Sequence, residues 1–182
     1  MTPDPERRLR QLEDGAPAVD VLSWFDQLPA VDLPVVLGRW RGSELPTGHP
    51  LDGLLTAHRW YGKEFLDAET VHPLLFPDPA GVPRPLDPTL APLWLVRAVP
   101  RLLRGPAARL GFAAARPLLR TGRPQARLRR LEHRGVLTAA LVYDRLPVID
   151  AFRRVSADTL LGLMDMRGLA PFPFVLRRDR SG

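Results

Sequence analysis

Residues 125–178 read QARLRRLEHRGVLTAALVYDRLPVIDAFRRVSADTLLGLMDMRGLAPFPFVLRR. Five segments have strand character: Gln125 to His133, Val136 to Tyr143, Val148 to Val155, Thr159 to Met166 and Phe172 to Arg178. Tight turns separate them at Arg134-Gly135, Arg145 to Pro147, Ser156 to Asp158 and Gly168 to Pro171. Connections this short cannot join parallel strands, which need crossovers of about a dozen residues. The stretch is therefore an antiparallel meander.

Upstream, Val35 to Leu45, Thr56 to Leu66 and Val71 to Phe76 add segments of alternating or β-branched character bounded by Gly, Pro and Asp. That makes about eight strands, enough to close an up-and-down barrel without free edges and to enclose packed side chains or one small ligand. Ahead of them, Asp20 to Leu28 places Val21, Leu22, Trp24, Phe25 and Leu28 on one helical face, with Asp20 as cap and Pro29 as stop. Residues 1–17 are polar and predict a short, fraying charged helix. The Pro-rich run from Asp78 to Pro92 reads as a loop. After it, LWLVRAVPRLLRGPAARLGFAAARPLL reads as an amphipathic helical hairpin broken at Gly105-Pro106, with Pro100 and Pro117 disturbing its arms. The expected fold is mainly β with helical additions: an antiparallel, lipocalin-like barrel with an N-terminal helix and a central helical hairpin. Neither half has enough strands for its own core, so 1–182 reads as one domain, built from 18–76, 77–124 and 125–178.

The chain of 182 residues has no cysteine, which excludes disulfide scaffolds, thiol nucleophiles, cysteine zinc sites and Fe–S clusters. No apolar run reaches the length of a membrane span and the first residues hold no signal-peptide core, so a cytoplasmic location is expected. Lys63 is the one lysine among 26 basic residues, an arginine bias that, with 21 prolines, suits a GC-rich bacterial genome. The net charge of +6 is uneven: −6 over residues 1–96, +10 over 97–134 and +2 beyond. The basic hairpin therefore has three readings. Its leucines, Trp94 and arginines on opposing faces suit transient contact with anionic membrane headgroups through residues 93–120. Nucleic-acid binding would need more stacking aromatics than Trp94 and Phe112. The plainest reading is a solvated helical face.

Within GRWRG (38–42), strand geometry puts Gly38, Trp40 and Gly42 on one side and both arginines on the other. A tryptophan so placed on a first strand is similar to the Gly-x-Trp signature of lipocalins and fatty-acid-binding proteins, and to the Gly-x-Trp-x-Gly of nitrobindin-like haem barrels. The longer match, GRWRGSELPTGHPLDGLL with RWYGKEF, resembles the GXWXG protein family. LVYDRLPVIDAFRRVSADTLLGLMDMRG with FPFVLRR resembles the domain of unknown function 4334 that commonly follows it. The pairing implies a recurring architecture and no assigned reaction. Nitrobindin-like barrels carry their haem histidine near the chain end, whereas the last histidine here is His133.

Candidate ligand contacts fall in two groups. Trp40, Trp60 and Tyr61 belong to the first motif, and the stiff loop 46–53 offers Thr47, His49 and Asp52 as a rim, or alternatively as turn caps. In the meander, Val148, Asp150, Phe152 and Arg154 share one face and Ile149, Ala151 and Arg153 the other, so one arginine shares a face with apolar residues. With Tyr143, Arg153 or Arg154 would hold an anionic headgroup, or would instead form a buried ion pair with Asp150 or Asp165. Met164 suits a deformable apolar wall or plain core. The four histidines lack metal-site spacing, and no nucleophile elbow is present, so no metal, cofactor or catalytic residue is expected. The expected function is a carrier of a fatty acid or other amphipathic lipid, lidded by the basic hairpin. An isomerase or hydrolase using His49, Asp52 or Asp150, and a nitrobindin-like haem protein, are the alternatives.

Overall fold

The computed structural model describes residues 4–90 and 98–181. Eight antiparallel strands close a barrel. They are β1 (Gly38–Glu44), β2 (Gly62–Phe65), β3 (Val71–Pro77), β5 (Ala126–His133), β6 (Val136–Tyr143), β7 (Val148–Arg154), β8 (Thr159–Met166) and β9 (Phe172–Arg178). Around the wall they run β1-β9-β8-β7-β6-β5-β3-β2, and β2 pairs with β1 to close it. A short outer strand, β4 (Pro83–Pro85), pairs with β3. It lies in the Pro-rich stretch expected to be loop, and survives there because two of its three residues are prolines at a sheet edge, where donors are not needed.

Strands β6 to β9 are apolar on both faces because both are covered. The inner face packs Trp40, Phe65, Leu128, Leu141, Phe152, Leu160 and Leu176. The outer face, with Ala140, Ala151, Leu161, Leu163 and Val175, lies under helices α1 (Pro5–Glu13) and α2 (Ala18–Gln27). Leu9 and Leu12 of α1 are buried and Asp4 accepts from the Glu6 amide, so the first helix is a docked element rather than a fraying one. Helix α2 begins two residues before the expected cap: Pro17 occupies the cap position, and Asp20 sits in the first turn near the positive end of the helix dipole.

Between β6 and β7 the ladder covers Ala140 to Val142 opposite Ala151 to Ile149. Beyond it residues 29–31 enter the gap. Ala30 bridges Arg153, the Ala139 amide donates to the Val31 carbonyl, and the Thr138 hydroxyl accepts from Val31 N while donating to the Phe152 carbonyl at 2.7 Å. The first two upstream strands are shorter than read: Leu33–Val36 forms a helical turn, α3, before β1, and Leu54–Ala57 forms another, α4, before β2.

The central helices are α5 (Pro100–Leu103) and α6 (Pro106–Leu119), with the break at Gly105 as expected. The start of the first arm, including Trp94, Leu95 and Arg97, lies outside the described residues. The helices cap one end of the barrel through Leu103, Ala108, Phe112, Ala115 and Leu119. Two inward arginines fasten them. Arg104 donates to the carbonyls of Asp52 and Pro50, and Arg116 to those of Pro77 and His58.

The glycines of the motif are spatial requirements. A methyl group on Gly42 would stand 2.2 Å from the Trp60 ring, and one on Gly62, at φ +147°, would stand 1.9 Å from the Trp40 carbonyl oxygen. Gly135, at φ +75° in the β5–β6 turn, has open space around it. Gly62→Ala is expected to lose about 3 kcal/mol or more, since overpacking and strain combine against unyielding backbone, whereas Gly135→Ala carries strain alone, about 1–2 kcal/mol. Urea unfolding of the two variants checks this, and equal losses would refute it.

Candidate functional site

The half of the barrel beneath the helical cap is hollow. A cavity of about 470 Å³ is walled by Leu74, Phe76, Val148, Met164, Met166, Phe172 and Phe174 of the strands, by Leu51, Leu54 and Leu55 around α4, and by the cap. Its lining is mostly apolar, with His58 and Asp87 towards the cap and one polar cluster on the strands. Lys63 on β2 donates to Asp150 on β7 at 2.7 Å, and to the Pro73 carbonyl at 3.2 Å. Strands β2 and β7 lie four positions apart whichever way the wall is followed, so this ion pair spans the barrel diameter. Both side chains are almost wholly shielded from solvent, 4% and 1% exposed.

The ammonium sits in an aromatic box. Its nitrogen is 5.5 Å from the Trp60 ring centre, 5.8 Å from Tyr143 and 5.0 Å from Phe174. Two glycines make the box possible. Gly42 leaves room for Trp60, and Gly162 leaves room for Phe174, whose ring would be 2.3 Å from an added methyl. The second glycine of GRWRG, Gly42, is thus there for Trp60, not for the neighbouring Trp40. Burial raises the Asp150 carboxyl above its ordinary range against the opposing pull of Lys63. Burial, then the adjacent Asp150 charge, raises Tyr143 well above the usual phenol range. Asp150 Oδ1 and Trp60 Nε1 are buried with no protein partner, so the cluster keeps unused acceptor and donor capacity.

Of the expected ligand contacts, Trp60, Tyr143, Asp150 and Met164 line this cavity. Phe152 and Trp40 point into the barrel but lie in its filled half. The Trp40 indole donates to the Val36 carbonyl at 2.7 Å beneath the Arg178 guanidinium, which stacks 4.2 Å from the ring centre. Thr47, His49 and Asp52 form a rim outside this cavity, with Thr47 Oγ1 and Asp52 Oδ1 buried and without a protein partner. Asp52 accepts from the Thr47 and His49 amides, and the His49 ring links the Leu51 amide to the Ala170 carbonyl. That arrangement is the turn-capping alternative. Tyr61 lies outside the wall, its hydroxyl on Asp179. Despite partial burial, that bond, Ser181 and Arg41 hold Asp179 down to about 2.

The arginines of β7 do not enter the barrel. Arg153 is fully buried on the outer face, its guanidinium 4.9 Å from the Phe25 ring centre and donating to the His133 carbonyl, while Arg154 is exposed. Strand alternation assigned the faces as observed, but helix α2 covers the outer face, so being buried did not mean facing the ligand. The interior cation is Lys63, which the sequence reading did not select. Its signal was available: a chain that uses arginine at all other basic positions keeps lysine where a compact ammonium fits between three rings and a planar guanidinium does not.

Of the four histidines, only His58 borders the cavity. Its Nε2 is held by the Leu103 carbonyl at 2.9 Å and its buried Nδ1 has no protein partner, so an axial haem ligand through Nε2 would require that bond to break. Among the described residues, no three His, Asp or Glu side chains are placed to hold a metal ion.

Removing the ammonium leaves a carboxylate alone in an apolar interior. Lys63→Met is expected to lose about 3–5 kcal/mol of stability at pH 7.5. Because the native Asp150 carboxyl titrates above its unfolded value, protonation favours the folded state. The loss therefore shrinks as pH falls from 7.5 to 5. The double variant Lys63→Met/Asp150→Leu regains most of it. Urea unfolding at the two pH values checks this, and a pH-independent loss would count against it.

Comparisons with known proteins fit this geometry. Residues 23–81 match the model of the GXWXG protein and residues 124–178 that of a domain of unknown function (DUF4334). The first supplies Trp60 and Lys63, the second Tyr143, Asp150 and Phe174, and the capping helices fall between them. No curated protein matches. A crystal structure of a protein from Thermomonospora curvata is similar to the whole chain, with 31% identity over 97% of this chain and 99% of that one and a TM-score of 0.71. By the ordered pair of matched segments and this full-length likeness, the chain belongs to the family in which a GXWXG protein segment is followed by DUF4334.

Proposed function

We propose that the protein is a cytoplasmic carrier that binds an amphipathic, mostly apolar small molecule, of the fatty-acid or lipid type, inside the barrel. The observation that carries this reading is the asymmetry of the interior. One half is packed solid around Trp40, Phe65 and Leu128, while the other holds about 470 Å³ of void, mostly apolar, with Lys63, Asp150, Tyr143 and Trp60 forming a polar cluster at its floor. The volume lies within the range of small-molecule sites, and one polar cluster in an apolar chamber suits a ligand with one polar end. A second reading, acid–base catalysis in the same chamber, draws on the raised Asp150 and Tyr143. His49 and Asp52 give it no support, since they face away from the void.

The helical cap is the gate in this reading. Its inner face is ligand wall, and its outer face exposes Leu102, Leu110 and Leu118 among Arg101, Arg109, Arg120 and Arg123. Apolar side chains in a basic surround are the chemistry of transient docking on an anionic bilayer, from which an apolar ligand would enter. Among the described residues no helix is long and apolar enough to cross a membrane.

Two measurements test the proposal. The neutral fluorophore N-phenyl-1-naphthylamine should bind with one site per chain. Ala115→Trp, which fills the void from the cap, should weaken it at least about tenfold while leaving the unfolding midpoint within the small range of a tolerated surface change. An unchanged affinity would place the fluorophore elsewhere. Vesicles with 30% phosphatidylserine should co-sediment the protein at low salt, and the double variant Leu110→Asp/Leu118→Asp should abolish this. Sedimentation with purely zwitterionic vesicles to the same extent would refute the charge-based docking.

A further inference from the structure

The hydrogen-bonding balance at the cavity floor carries a statement about the ligand's polar end. Lys63 has three N–H groups, of which Asp150 Oδ2 and the Pro73 carbonyl take two. The third is left for an acceptor, as is the buried Trp60 Nε1–H. Asp150 Oδ1 is buried and unmatched, so it is left for a donor. Tyr143, whose hydroxyl also interacts with the Asp150 carboxylate and opposes the rise of its pKa, can serve as either. The floor thus offers both donors and an acceptor within one small cluster.

Its net charge is zero. Lys63 and Asp150 neutralise each other whether the shared proton sits on nitrogen or on oxygen. The other titratable groups on the lining add no free positive charge. Asp87 is paired with Arg145 at 2.8 Å, and burial lowers the His58 imidazole, which favours its neutral form at pH 7. Arg116 packs over Phe76 and Phe112, does not line the void, and has its terminal nitrogens on the carbonyls of Pro77 and His58.

We propose that the site selects an uncharged oxygenated head, an alcohol or a carbonyl carried on an apolar body, over the ionised carboxylate of a fatty acid. The inference rests on the carrier reading and narrows its ligand. An alcohol oxygen accepts from Lys63 or Trp60 while its hydrogen reaches Asp150 Oδ1. A carbonyl uses the donors alone. A carboxylate would bring a second negative charge beside Asp150 in a low-dielectric interior, where Lys63, the cation among the described lining residues, is already neutralised. It can enter only with one proton, taken either by itself or by Asp150.

The test is displacement of N-phenyl-1-naphthylamine from the full chain by 1-decanol, 2-decanone and decanoate between pH 6 and 8. Decanol and decanone should displace it with affinities independent of pH. Decanoate should be at least about tenfold weaker than decanol at pH 7.5 and should gain about tenfold per unit of acidification, the slope for uptake of one proton. Asp150→Asn leaves Lys63 uncompensated, so in that variant decanoate should bind more tightly than decanol at pH 7.5. Should the variant fail to fold, the wild-type pH profile decides by itself. Decanoate binding as tightly as decanol, with no pH dependence, would overturn the inference while leaving the carrier reading intact. A chain that binds neither the fluorophore nor any of the three would overturn both.

Discussion

A lysine and an aspartate that meet across the diameter of a small barrel impose conditions on everything around them. Two charges taken out of water gain little or lose net stability unless geometry and further hydrogen bonds compensate. Here the compensation comes from the Pro73 carbonyl and from three aromatic faces around the ammonium. Those rings need room, and the wall supplies it by having glycine at positions 42 and 162. The pair also marks where the interior stops being solid. On one side the barrel fills with Trp40, Phe65, Leu128, Leu141 and Leu160, and on the other it stays open to the cap. An apolar pair of the same size would let the core close over the floor. The buried charges keep a polar surface there that a ligand can use.

The open half requires a cover, and the cover is built differently from the barrel. Helix α6 has no fully buried residue and carries Pro117 in its interior, so packing alone holds it weakly. Arg104 and Arg116 supply the rest by donating to backbone carbonyls at the rim, where they satisfy acceptors that strands would otherwise have paired. The arginine-rich segment is thus divided by side. Two guanidinium groups turn inward as fasteners, while Arg101, Arg109, Arg120 and Arg123 are exposed near Leu102, Leu110 and Leu118. In the carrier reading proposed above, a cover held by a few polar clasps can open without disturbing the ladder of the wall.

The legible part of the structure was the part governed by local chain chemistry. Turns of two to four residues compel antiparallel neighbours, and alternation of side chains assigns Val148 to Arg153 of β7 to their observed faces. The break at Gly105-Pro106 was equally local. Arg153 was read as a ligand-facing cation because a buried position on a barrel strand was equated with the interior, but α1 and α2 bury the outer face as well. The loop with Thr47, His49 and Asp52 has the composition of a site and the hydrogen bonds of a self-capped turn, and composition cannot tell the two apart.

Sequence by itself determined the antiparallel meander, the strand number, the inward Trp40 with its outward arginines, and the family. Each follows from spacing of a few residues, over which steric and hydrogen-bonding rules act without knowledge of the rest of the chain. Only the tertiary structure decided which polar groups meet. Lys63 and Asp150 are 87 residues apart, and their contact depends on closure of β2 onto β1 and β3, which places the two strands opposite one another. The void above them is likewise a property of the closed wall and its cap. No short stretch of chain encodes a distance across a barrel, because that distance is set by the number and tilt of all eight strands together.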